Sequence, residues 1–414
     1  MRRVLMVAYH FPPLAGSSGI QRTLRFVQEL GALGWEPLVL TTDTRAYERL
    51  SDDLLRDVPP STVVRRARAL DAARHLSLFG RYLDVTARPD RWVSWRFDGV
   101  RQGLRMIREF RPDAIWSTYP IATAHLIAAD LQRRSGLPWI ADFRDPMAQD
   151  GYPEDPRTWR SYEAIEQKSM SQATHAVFTT PSALRDYRAR YPDARASLSL
   201  IENGYDEASF REIDATNGSH GPLTAGAVTL LHSGIVYPSE RDPTALFEAL
   251  GRLVRRGAIG PDRFRLRFRA AVHDELLRGL ASAHGVADLV EVLPPVPYRD
   301  ALHEMVRADG LLVMQAANCN AQIPAKIYEY LRARRPIVCL ADRQGDTESV
   351  LRTAGVVDCA DLASADDIER LLPGWIERAR QGAAALPLDS AVQAASRTGR
   401  ARQLAALMDA VPAT

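Results

Sequence analysis

The chain has 414 residues, beyond the roughly 250–300 at which one hydrophobic core stops growing, so two domains are expected. Hydrophobic residues make up 46%, charged residues 25%, and the formal net charge is only +2, a balance that excludes a disordered chain and gives no support to nucleic-acid binding. No apolar stretch approaches the ~20 residues needed to span a bilayer; a cytoplasmic location is expected, with any membrane contact peripheral.

The first half alternates short apolar runs with helical patterns, which predicts βα units around a parallel sheet. Strands are expected at 4–8, 37–41, 114–117, 139–142 and 176–179. After the first comes a turn of small residues, Gly16-Ser17-Ser18-Gly19, where backbone can approach a ligand and the amides of a helix start favour an anion. Ile20, Leu24, Val27 and Leu30 then form one apolar stripe that stops near Gly31 and Gly34. Residues 65–96 mix arginines with Leu76, Tyr82, Trp92 and Trp95, the composition of either a surface facing anionic headgroups or a lid over the sheet. Beyond the strand at 139–142, Asp142, Arg144 and Asp145 sit where active-site loops of open sheets lie, or form an ion-pair network that fixes the loop.

The stretch 214–222, rich in turn formers, is the expected boundary between domains at 1–212 and 223–390. Strands are expected at 228–232, 264–270, 289–293, 310–314 and 336–340. Ser233 and Gly234 end the first of these, and Arg241 follows in a short loop, placed either to clamp a diphosphate or to brace its own loop. Arginine dominates the cations: of 53 lysines and arginines only Lys168 and Lys326 are lysine. If Pro324 opens a helix, Lys326 and Glu329 share one side and Ile327 and Leu331 the other. A helix starting at the carboxyl edge of a parallel sheet aims amides at a diphosphate, the lysine adds charge, and the carboxylate accepts ribose hydroxyls; the same spacing also fits a plain surface ion pair. The cysteines, Cys319, Cys339 and Cys359, lack metal-site or redox spacing.

Phe11-Pro12-Pro13, Gly16–Gly19, Gln21-Arg22, Tyr119-Pro120, His125, the run 141–146, Glu202-Asn203-Gly204, His232-Ser233-Gly234, Arg241-Asp242-Pro243 and the segment Ile323-Pro324-Ala325-Lys326-Ile327-Tyr328-Glu329 resemble the bacterial family 4 glycosyltransferases that build surface polysaccharides. The resemblance implies two tandem Rossmann-like domains facing a cleft, the GT-B arrangement, with residues 391–414 packing across the junction. It implies a nucleotide-diphosphate-sugar donor and a saccharide or lipid-linked acceptor, transfer with retention, and no metal or other cofactor.

Carried onto this sequence, the resemblance gives His125, Arg241 and Lys326 catalytic roles. It places the donor at Ser233, Gly234, Tyr298, Ile323, Pro324, Ala325, Tyr328 and Glu329, and the acceptor at Gly16, Ser17, Ser18, Asp142, Arg144 and Asp145. Where the family has a further carboxylate, this chain has Ala321. A nucleotide-sugar epimerase of the same fold and an idle nucleotide-sugar-binding partner are the alternative readings.

Overall fold

The computed structural model describes the whole chain except residues 16–18, 78–80, 150, 218–220 and 412–414. It divides into two compact units, one formed by 1–203 with 397–414 and the other by 204–396. The boundary therefore differs from the expected one. The first four residues of the polar stretch end the helix Glu207–Asn217, whose Phe210 and Ile213 are fully buried in the core of the second unit.

The first unit holds a seven-stranded parallel sheet in the order β3-β2-β1-β4-β5-β6-β7. The strands are β1 Arg2–Val7, β2 Trp35–Thr42, β3 Val63–Ala67, β4 Ala114–Thr118, β5 Trp139–Arg144, β6 His175–Phe178 and β7 Ser197–Leu200. Central β1 pairs with β2 and β4, and Val4 to Val7 are wholly buried, as expected for a strand covered on both faces. The helix Gly19–Leu30 buries Ile20, Leu24, Val27 and Leu30 and ends through a short 3₁₀ turn at Gly34, whose φ of 87° suits glycine.

The second unit holds a six-stranded sheet in the order β10-β9-β8-β11-β12-β13. Its strands are β8 Val228–Ser233, β9 Phe264–Arg269, β10 Val290–Leu293, β11 Gly310–Gln315, β12 Ile337–Ala341 and β13 Cys359–Ala360, all parallel. Both sheets are wound by helices on either side, the Rossmann-like form expected.

The helix Arg397–Asp409 belongs to the first unit. Its Ala401, Leu404, Ala405 and Met408 are buried in one cluster with Leu24, Val27 and Leu30 of the helix Gly19–Leu30. Each large apolar side chain buried there contributes about 1.5–3 kcal/mol. The expected packing of 391–414 is thus corrected: the helix Asp389–Ala394 stays with the second unit, and only the residues from Arg397 onward join the first. Among the described residues no helix is long and apolar enough to cross a membrane.

Candidate functional site

In the second unit a cluster forms at the carboxyl edges of β8 and β11. His232, near the end of β8, is fully buried, and its Nδ1 lies 3.0 Å from the Leu312 carbonyl oxygen. A carbonyl only accepts, so Nδ1 carries the proton and Nε2 presents a lone pair. Lys326 Nζ donates to that Nε2 at 3.1 Å. Burial and the neighbouring Lys326 charge hold the imidazole well below its usual pKa, so it stays neutral.

Gly234, just beyond β8, has a φ of 117°, and a Cβ there would lie 2.9 Å from Lys326 Nζ. Glycine is needed twice over, for the backbone angle and for the space. Burial, then the nearby Arg241 charge, lowers the Lys326 pKa to about 7, while Glu329 opposes the shift. Arg241 donates from Nη1 to the Ile235 carbonyl at 3.1 Å and lies 5.2 Å over the Tyr237 ring, yet its buried Nε has no partner. Two cations crowd together here, one with an unsatisfied donor, which is an arrangement that an anion relieves.

Ser233 fixes the strand end by donating its N–H to Tyr330 Oη at 2.8 Å. Glu329 accepts from Tyr298 Oη at 2.7 Å, so the carboxylate and the ring beside it are joined. The helix itself runs Lys326–Ala333, two residues later than expected, because Pro324 and Ala325 offer only their carbonyls to Ile327 and Tyr328. Ile323 packs partly on the core, Ala325 is exposed, and Ala321 is exposed as well. Tyr328 is corrected: its side chain is buried among Ile327, Tyr330 and Leu331 and does not face a ligand.

In the first unit the expected residues separate. His125 is fully buried, with Nδ1 2.8 Å from Ser117 Oγ and its ring 4.9 Å from that of Phe143. Trp139 Nε1 donates to the same Ser117 oxygen at 2.8 Å. Burial lowers the imidazole pKa to about 3. The ring thus sits enclosed among the Trp139 and Phe143 rings, whereas the catalytic expectation called for a histidine facing a cleft.

Asp142 is corrected likewise. It is fully buried and gripped by Arg22, with Nε to Oδ2 at 2.7 Å and Nη2 to Oδ1 at 3.0 Å. Arg22 also donates to the carbonyls of Ile201 and Glu202 at 2.9 and 3.0 Å, tying three chain segments together. Arg144 and Asp145 do remain at the β5 carboxyl edge. Asp145 is exposed and Arg144 half-buried; the protein packed around them raises the Asp145 pKa against the pull of Arg144, and lowers that of Arg144 together with the Arg22 charge. Gly16, Ser17 and Ser18 lie outside the described residues.

Sequence reasoning missed His232 as the partner of Lys326 and Arg22 as the partner of Asp142. The first was signalled by the strand-end His-Ser-Gly; the second joins residues 120 apart and left no local trace. Among the described residues no three or more His, Cys, Asp or Glu gather in a way that holds a metal ion.

The sequence profile of the glycosyl transferase 4-like domain matches residues 18–204. A search of curated proteins by sequence finds no match. Among solved structures, sucrose-phosphate synthase from Thermosynechococcus elongatus is similar at 14% identity and a TM-score of 0.61, over 99% of this chain and 98% of that one. HepE from Anabaena in complex with UDP is similar at 12% identity and a TM-score of 0.64, over 99% and 100%. The trehalose 6-phosphate synthase of Burkholderia multivorans is similar at 14% identity and 0.61, over 99% and 96%. Residues 18–204 of the chain are thus similar to the glycosyl transferase 4-like domain, and the chain as a whole has the two-domain GT-B fold of these structures.

Proposed function

We propose that the chain transfers a sugar from a nucleotide-diphosphate-sugar to a saccharide or lipid-linked saccharide acceptor, with retention, without a metal, in making a surface polysaccharide or glycoconjugate. The observation that supports it most is the cluster at the β8 edge, where Lys326 Nζ is held by His232 and pressed against Gly234 beside an Arg241 whose Nε has no partner. Those two cations suit the diphosphate, and they stabilise it most as negative charge grows on departure. That charge stabilisation is the role a divalent cation would otherwise fill. Glu329 with Tyr298 suits the nucleoside, accepting ribose hydroxyls beside a ring that flanks the base. The complexes of HepE with UDP and UDP-glucose make a uridine donor the first to try.

The test incubates the chain with a panel of nucleotide-sugars, with and without an acceptor pool and EDTA, and follows release of nucleoside diphosphate and the anomeric configuration of the product by NMR. Acceptor-dependent release that survives EDTA, with the donor's configuration kept, is expected. An epimer formed from donor alone, or donor bound but never turned over against any acceptor, overturns the reading.

A further inference from the structure

Cys339 and Cys359 stand twenty positions apart, and nothing in that spacing marks them as a pair. The fold makes them neighbours. β12 and β13 run parallel, and their register sets Cys339 directly beside Cys359. The Cys339 N–H donates to the Asp358 carbonyl at 2.9 Å, which holds that register. Adjacent strands lie about 4.7–4.9 Å apart, inside the roughly 4.4–6.8 Å between Cα atoms that a disulfide spans. Register partners also project to one face of a sheet. Both cysteines pack on the same apolar cluster, Cys339 fully buried within it and Cys359 half-buried against it, and both are free thiols.

The two thiols are unlike. Cys359 Sγ donates to the Val356 carbonyl at 3.9 Å, which leaves its lone pairs open to the S–H of Cys339. The hydrogen bond from Cys339 is the largest influence on Cys359 and holds its pKa below that of an ordinary thiol, with help from the Arg352 guanidinium and against burial and the Glu348 and Asp358 carboxylates. The same bond, then burial, pushes Cys339 up. The thiolate is the form that reacts. Cys359 is therefore the nucleophile and Cys339 the thiol held in reserve behind it. β13 is only two residues long and ends the order of the sheet, so no strand beyond it resists a closer approach to β12. The third cysteine, Cys319, lies in a short 3₁₀ turn, and burial raises its pKa.

We propose that Cys339 and Cys359 are a site of reversible oxidation, closing to a disulfide when a peroxide reaches Cys359. The Cys359 thiolate attacks one oxygen of hydrogen peroxide and the O–O bond breaks. The other oxygen takes up the proton that Cys359 gave away and leaves as water, and Cys359 becomes a sulfenic acid. The Cys339 sulfur then attacks the Cys359 sulfur. An S–S bond forms, the S–O bond breaks, and the departing hydroxide takes the Cys339 proton to leave as a second water. Two electrons have passed from the thiols to the peroxide, and the product fastens the edge strand to its neighbour. A dithiol reverses it by exchange.

The experiment treats the full native chain with a small excess of hydrogen peroxide, titrates the remaining thiols, and maps the product by mass spectrometry of an unreduced digest. Of the three cysteines, two are expected to be lost, joined as a Cys339–Cys359 peptide within one chain, and to return on adding dithiothreitol. Cys339→Ala should stop at a Cys359 sulfenic acid that dimedone traps. In Cys359→Ala, peroxide should consume Cys339 at least ten-fold more slowly than in the native chain. Survival of all three thiols overturns the proposal, as does Cys359 passing to the sulfinic acid unlinked, or a bond that involves Cys319 or a second chain. Equally fast loss of Cys339 in Cys359→Ala overturns it too. If either variant does not fold, the map of the native chain decides alone.

Discussion

Lys326 Nζ donates to His232 Nε2 at 3.1 Å, and the imidazole is locked into that role by the bond from its other nitrogen to the Leu312 carbonyl. The lysine is therefore aimed by a neutral partner that leaves its charge uncompensated. Lys326→Met is expected to lower kcat by about 10²–10³, the scale of losing one charge-stabilising donor, with a smaller change in donor KM. Lys326→Arg should fare little better, since Gly234 leaves no room for the wider guanidinium. Steady-state kinetics with the true donor and acceptor decide it, and near-native turnover in both variants removes Lys326 from the chemistry.

His232 acts only through that lysine, and a double-mutant cycle shows it. His232→Leu should lower kcat by less than Lys326→Met, and the double variant should be no slower than Lys326→Met alone. Additive losses would mean that His232 has a separate task.

The depressed Lys326 pKa links the site to pH. In the unfolded chain the amine holds its proton up to the ordinary 10.5, whereas in the fold it gives it up at about 7. Between those values the unfolded state binds the extra proton, so stability falls as pH is lowered from 10.5 toward 7, with the penalty complete below 7. Lys326→Met should therefore be more stable than the native protein at pH 6–7, with the gain shrinking toward pH 10. Thermal melting across that range tests the difference. A bound diphosphate favours the ammonium, so binding at pH 8 should take up protons and weaken as pH rises, as calorimetry in buffers of differing ionisation enthalpy will read.

The Arg22–Asp142 pair is buried on both sides, and removing one partner strands the other charge. Arg22→Leu is expected to cost about 3–5 kcal/mol of stability, measured by urea unfolding. A loss under 1 kcal/mol would mean that water reaches Asp142.

His125 is expected to matter for acid stability and not for turnover. Its folded pKa of about 3 lies below the ordinary 6.5, so as pH falls through that window the unfolded chain gains a proton the fold refuses, and stability is lost. His125→Phe should flatten the fall in melting temperature between pH 6.5 and 4 while kcat at neutral pH stays within a few-fold.

The covered strands were legible because β1 and β11 carry continuous apolar runs, Val4–Val7 and Leu311–Met314, bounded by turns or loops. β3 escaped, since Val63–Ala67 carries Arg65 and Arg66 and is only partly buried, and β13 is two residues long. Lys326 was legible from its rarity and its place at a helix start. His125 was not, because a helical position alone does not tell whether a ring meets solvent or the Trp139 and Phe143 rings. The polar run at 214–222 reads as a domain boundary by composition, yet Phe210 and Ile213 anchor the helix that runs into it to the second unit, and burial overrides composition.

The helix Arg397–Asp409 closes an apolar seam on a unit whose other residues end at 203. On the ribosome, the face formed by Leu24, Val27 and Leu30 stays without its cover until every residue of 204–396 has been synthesised. The usual order, in which the amino-terminal domain is finished first, is inverted: the second unit completes while the first still waits. At ~5–20 residues per second, that leaves the seam uncovered for about ten to forty seconds, and a nascent chain stalled before Leu404 is where binding by a chaperone that recognises apolar surface should peak.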